Sequence, residues 1–251
     1  MPLPRVVLVH GFTQTGRSWP PAIVERLEHD GHEVLAVDVP GHGSASHVRA
    51  DLREGARLLA IRGHADYVGY SLGGRLALHV AVYHPESVRR LVLIGATPGI
   101  EDAAERRARE KADHALATTI QRDGVDEFLT TWLANPLFAS LPADAAGVEA
   151  RLENTPSGLA SSLRLMGTGA QTPLWEFLPR LTMPALFIVG ELDPKFSEIA
   201  LRMAGEWGGP ASVEVIPNAG HAVHLERPDA VADAIASFLH ASTSAAASSA
   251  P

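Results

Sequence analysis

Val68-Gly69-Tyr70-Ser71-Leu72-Gly73-Gly74-Arg75 narrows the possible folds more than any other stretch of the chain. Residues 65–68 before it are strand-like. Residues 72–83 after it are rich in Ala and Leu and read as a helix. A Gly-x-Ser-x-Gly run therefore falls where a strand turns sharply into a helix. Such a turn strains the backbone at Ser71 and needs small residues two positions to either side. Gly69 and Gly73 occupy those positions. The turn lifts the Ser71 hydroxyl above the sheet. The following helix aims its free N–H groups and the positive end of its dipole at the same place.

The rest of the chain repeats the strand-then-helix alternation. Short β-branched runs at 5–10, 33–38, 90–94, 185–189 and 212–216 read as buried strands. Helices are predicted over 19–29, 48–61, 195–207 and 228–240. This order implies an α/β fold, a mostly parallel sheet with helices on both faces. Ligands of such sheets bind at the carboxyl ends of the strands. His10, Asp38, Ser71 and Gly95 all fall there. From about Pro98 to Leu178 the alternation stops. That segment starts charged and helical (101–113) and then carries Trp132, Pro136, Phe138, Trp175 and Phe177. The expected organisation is a core of 1–97 and 179–240, and a helical cap insertion of 98–178 that covers the strand ends and excludes water. The low-complexity residues 241–251 are expected to form a disordered tail.

Composition excludes several functional classes. With no Cys among 251 residues there are no disulfides and no thiol chemistry. The first residues lead straight into a strand, and no charged n-region with an apolar run follows, so no signal peptide is read. No apolar run approaches the ~20 residues of a membrane span. The expected location is the cytoplasm, with no membrane partner. The net charge of −8 argues against nucleic acid. It leaves room for a small anionic substrate, because a few Arg in a pocket set the local field. Nothing in the sequence speaks to oligomeric state.

A serine hydroxyl needs an imidazole to take its proton and a carboxylate to fix the imidazole's tautomer. On this kind of scaffold the partners follow in the order Ser, acid, His. His221 follows Asn-Ala-Gly at a late strand end, before the last helix. Asp193 is preferred over Glu191 because it lies nearer the loop and has the shorter side chain. The candidate catalytic set is therefore Ser71, Asp193 and His221. The expected oxyanion donors are the backbone N–H groups of Leu72 and Phe12. His224 reads as an ordinary loop or helix-start His.

These residues resemble the α/β-hydrolase superfamily over essentially the whole ordered chain. A narrower resemblance is to the 2-succinyl-6-hydroxy-2,4-cyclohexadiene-1-carboxylate synthases of menaquinone biosynthesis. It is carried by residues 69–77, by Leu93 to Ile100, by Glu105-Arg106-x-x-Arg109-x-x-x-Asp113, by Trp132 with Asn135 to Ser140, and by Gly190 to Phe196. It implies an elimination that releases pyruvate, with no metal and no organic cofactor. Ser71 would be the base, activated by His221 and Asp193. The resemblance also implies a cationic pocket for a substrate with several carboxylates, which guanidinium forks suit. Arg75, Arg109 and Arg151 fall on family-like positions, with Arg106 and Arg107 as rivals to Arg109. Tyr70 and Trp132 are expected to line the pocket. The chain departs from the pattern in the loop after Phe12, which reads Thr13-Gln14-Thr15-Gly16 where a Gly-Ser-like pair is expected, and again after His221. The alternative reading is an esterase or carbon–carbon bond hydrolase on the same scaffold. A binding protein on a decayed scaffold is disfavoured because a binder needs no triad.

Overall fold

The structure, a computed structural model, describes the backbone of residues 3–248 and the side chains of residues 3–241. Six strands form one sheet: β1 (Arg5–Val9), β2 (Glu33–Val37), β3 (Ala65–Tyr70), β4 (Val88–Ile94), β5 (Ala185–Gly190) and β6 (Ala211–Ile216). Their order is β2-β1-β3-β4-β5-β6, and every pairing is parallel. After β2 the chain crosses back over β1 to add β3, so the direction of winding reverses at the β1/β3 boundary. In open parallel sheets the crevice outside such a switch point is where ligands bind. Ser71 follows β3, and the loop carrying Phe12 follows β1.

The strand residues alternate between two apolar clusters, as a pleat of period two requires. Val7, Val9, Tyr67, Leu91, Leu93 and Phe187 pack against α2 (Leu52–Ala60), α3 (Leu72–Tyr83) and, through Met203, α8 (Pro194–Glu206). Val6, Leu8, Val68, Val92, Ile94 and Ile188 face the other way, against α1 (Pro21–His29) and α10 (Pro228–Ser248). Two predicted helices begin later than their hydrophobic pattern suggested. α1 starts with Pro21 at its first position, which its fixed φ suits. α2 starts after Asp51, whose carboxylate accepts the Glu54 N–H as a cap.

Between β4 and β5 lie α4 (Ala103–Asp123), α5 (Val125–Leu133), α6 (Val148–Arg151) and α7 (Pro156–Met166). They share a small apolar cluster of their own, including Ile120, Phe128, Leu129, Leu159 and Leu163, with Phe12 and Trp132 packed against it. A short α9 (Val223–Glu226) precedes α10. α10 continues past His240, into residues read from sequence as disordered. The Ala-rich composition there favours helix. The last part of the expected tail, 249–251, lies outside the described residues. Among the described residues, no helix is long and apolar enough to cross a membrane.

Candidate active site

Ser71 stands at the top of β3 with φ 50° and ψ −108°, in the left-handed half of the map that a non-glycine residue rarely visits. Hydrogen bonds on both sides keep it there: its N–H donates to Ile94 O at 2.9 Å, and its carbonyl accepts from Arg75 N at 3.0 Å. The two flanking glycines are required by contact. A Cβ on Gly69 would lie 2.5 Å from Gly73 O, and one on Gly73 would lie 2.0 Å from Val9 O. α3 is thus pressed onto the end of β1.

Asp193 and His221 converge on the serine. Asp193 is the N-cap of α8, and its Oδ1 accepts the Phe196 N–H at 3.3 Å. Its Oδ2 lies 2.8 Å from His221 Nδ1, and His221 Nε2 lies 3.5 Å from Ser71 Oγ. One carboxylate therefore starts a helix and orients an imidazole. The rival Glu191 faces elsewhere and accepts the Asn218 N–H at 2.9 Å. The His221 ring lies among aromatic neighbours, with ring centroids at 4.5 Å for Phe196 and 5.5 Å for Tyr70.

A cavity of about 830 Å³ opens over these groups. Ser71, His221, Phe12, Leu72, Tyr70 and Trp132 line it, and so do Arg75, Arg109 and Arg151. The rivals do not: Arg106 turns back to the carbonyls of Ile100 and Glu101, and Arg107 is exposed. Arg75 is buried and donates to Met166 O at 2.7 Å and to Gln171 Oε1 at 3.4 Å. Burial, reinforced by the nearby Arg109 charge and opposed by Asp113, lowers its pKa to about 10. Arg151 is likewise lowered to about 10 by burial, with Tyr70 opposing. Both stay charged at neutral pH. Arg109 is tied by its Nε to Asp113 Oδ1 at 2.7 Å. Asp113 itself is buried and accepts the Gly169 N–H at 3.2 Å.

Sequence reasoning gave no role to three features. Lys195, two residues after Asp193, adds a fourth cation to the cavity wall; its signal is its place in the acid loop. Gln171 and the Met166 carbonyl hold Arg75, and no local pattern announces them. His224 stands at a helix start, one of its two expected places, but its surroundings are not ordinary. It lies in α9, fully buried, with its ring 4.0 Å from that of Tyr70 and its Nε2 3.1 Å from Gln14 Nε2. Burial pushes its pKa well below the usual histidine range.

A family model described as the alpha/beta hydrolase fold matches residues 4–228. The chain belongs to the α/β-hydrolase family. Within it, the chain is 34% identical over 245 positions to the 2-succinyl-6-hydroxy-2,4-cyclohexadiene-1-carboxylate synthase of Salmonella schwarzengrund (strain CVM19633), covering 94% of each chain. It is 36% identical over 251 positions to a Bacillus subtilis (strain 168) protein provisionally assigned as the same synthase, covering 93% of this chain and 89% of that one. The solved structure of MenH from S. aureus superposes with a TM-score of 0.86 at 30% identity, over 94% of this chain and 93% of that one. The chain thus groups with these synthases inside the α/β-hydrolase family.

Proposed function

We propose that this protein is a 2-succinyl-6-hydroxy-2,4-cyclohexadiene-1-carboxylate synthase. It eliminates pyruvate from 2-succinyl-5-enolpyruvyl-6-hydroxy-3-cyclohexene-1-carboxylate. The observation that carries the reading is the cavity itself. Arg75, Arg109, Arg151 and Lys195 line the same space as Ser71 and His221. A simple ester gives no reason to bury guanidinium groups, whose desolvation is costly without anionic partners. A substrate with three carboxylates gives that reason, and guanidinium forks match carboxylates in pairs of hydrogen bonds.

The chemistry follows from the positions named in substrate and product. The C2–H bond next to the succinyl ketone breaks, the C3=C4 double bond shifts, and the C5–O bond breaks. The ring is left as a 2,4-diene, and the departing enolpyruvate takes a proton to become pyruvate. Ser71 Oγ removes the C2 proton after passing its own proton to His221 Nε2. Asp193 holds His221 Nδ1–H and stabilises the imidazolium. The 3.5 Å between Ser71 and His221 is long for a hydrogen bond and shortens when substrate is held against it. The backbone N–H groups of Phe12 and Leu72 stabilise the enolate oxygen that forms on the ketone. No covalent acyl-enzyme arises.

We take residues 98–178 as the cap of this enzyme, 1–97 with 179–240 as its core, and the cytoplasm as its location. The test is turnover of the enolpyruvyl substrate, followed by pyruvate release, beside cleavage of p-nitrophenyl acetate. Fast pyruvate release with slow ester cleavage is expected. Rapid ester cleavage without pyruvate overturns the synthase in favour of a hydrolase.

A further inference from the structure

The loop that offers the Phe12 N–H is a four-residue turn, Gly11 to Gln14, closed by Gln14 N donating to Gly11 O at 3.2 Å. Thr13 stands at its third position with φ 68°. Turns with a positive φ there ordinarily take Gly or Asn. A β-branched residue in this conformation is disfavoured and persists only where its surroundings impose it.

The surroundings are explicit. Thr13 is wholly buried, and each of its polar groups is taken. Its N–H donates to His42 Nε2 at 3.2 Å. Its hydroxyl accepts from Arg151 Nη1. Its carbonyl accepts from Asn154 Nδ2 at 2.7 Å. Asn154 is buried too. Its Nδ2 also donates to Arg151 O at 2.9 Å, and its Oδ1 accepts from Gly43 N at 2.9 Å. Two of the three grips on Thr13 thus come from the insertion between β4 and β5.

We infer that Asn154 is a positioning residue for the oxyanion hole. A Gly at position 13 would let the turn hold itself. With Thr13 the turn is held from outside, and Asn154 does this through the Thr13 carbonyl. The insertion then completes the oxyanion hole as well as covering it. The inference rests on the oxyanion role proposed above for the Phe12 N–H, which serves an elimination and an ester cleavage alike.

The test pairs the grip with the strain. Asn154→Ala is expected to lower kcat for pyruvate release by about 10- to 100-fold, less than the full loss of a donor, with KM within about twofold. Adding Thr13→Gly to Asn154→Ala should recover most of that loss, because the turn no longer needs the grip. An unchanged kcat in Asn154→Ala, or a loss that Thr13→Gly does not relieve, overturns the inference. The second result would make Asn154 a mere brace of the insertion. If Asn154→Ala unfolds, Asn154→Asp replaces it, since it keeps the acceptor for Gly43 N and removes the donor to Thr13 O. Should the wild type cleave p-nitrophenyl acetate and release no pyruvate, the synthase reading fails and the same cycle is read on ester cleavage. If the wild type does neither, the readout is the ¹H–¹⁵N resonance of the Phe12 amide. That resonance should shift in Asn154→Asp and return with Thr13→Gly; no shift, or no return, refutes the inference.

Discussion

The two walls of the cavity are fixed by different means. On the sheet side, backbone conformation does the work. Ser71 is set by its own φ and by two glycines, and Asp193 by capping the helix that it starts. The cations depend on individual partners, some near in sequence and some far: Arg75 on the Met166 carbonyl, Arg109 on the Asp113 carboxylate one turn along α4, Arg151 on the nearby Ala146 carbonyl and the distant Thr13 hydroxyl. A backbone-set group depends on a few nearby residues and withstands change elsewhere. A partner-set group can be retuned from many positions. On the function proposed above, proton transfer sits on the rigid wall of this molecule, and substrate recognition on the adjustable one.

The largest effect should come from the rigid wall. Ser71→Ala is expected to lower kcat for pyruvate release by about 10⁴-fold or more. The melting temperature should stay close to that of the wild type, because the hydrogen bonds that set the elbow are made by the Ser71 backbone and not by its side chain. Residual turnover within tenfold of wild type would remove Ser71 as the base. Next comes the adjustable wall. Arg75→Ala should cost about 3 kcal/mol in kcat/KM, in the range for a charged partner removed from a buried pair. Equal turnover of the tricarboxylate substrate would break the contrast, since a cation that recognises nothing belongs to neither wall.

The smallest effect concerns the histidines behind the Phe12 loop. His10 and His42 are buried, and burial lowers their pKa values to about 4 and about 3. Both accept backbone N–H groups, from Val39 and from Thr13, as neutral rings. The unfolded chain binds their protons near pH 6.5 and the folded chain only well below that. The stability they contribute is therefore whole above pH 6.5 and is lost as pH falls toward 4. Denaturant titrations should show a loss on the order of 2 kcal/mol for each of these histidines between pH 7 and pH 5. A gain on acidification would mean that the rings are charged in the fold.

Much of the sheet-side wall was legible in the sequence. The strands carry short apolar or β-branched runs, broken by Asp66 in β3, Arg89 and Arg90 in β4 and Glu214 in β6, and Gly69, Ser71 and Gly73 state their geometry in five residues. The choice of Asp193 over Glu191 drew on side-chain length and place, and the geometry puts Asp193 beside His221. The insertion was less legible. The first half of α4 is densely charged, so its sequence does not distinguish three neighbouring arginines, and only contacts separate Arg109 from Arg106. The anchor of Arg75 lies 91 positions away. A β-branched residue forced to positive φ, as at Thr13, leaves no local mark in a sequence, because what forces it lies elsewhere in the chain.

The absence of a Cβ at Gly73 has a consequence for how this protein can change. Where α3 meets the end of β1, the spacing is set by backbone touching backbone, 2.0 Å being all that a Cβ would have from the Val9 carbonyl. The gap between the Ser71 hydroxyl and the loop after β1 is thus gauged by atomic radii and not by how well the interior is filled. Substitutions that loosen the apolar clusters lower the melting temperature before they alter the spacing of the reacting groups. Stability can drift over generations of sequence change while the working distance stays constant.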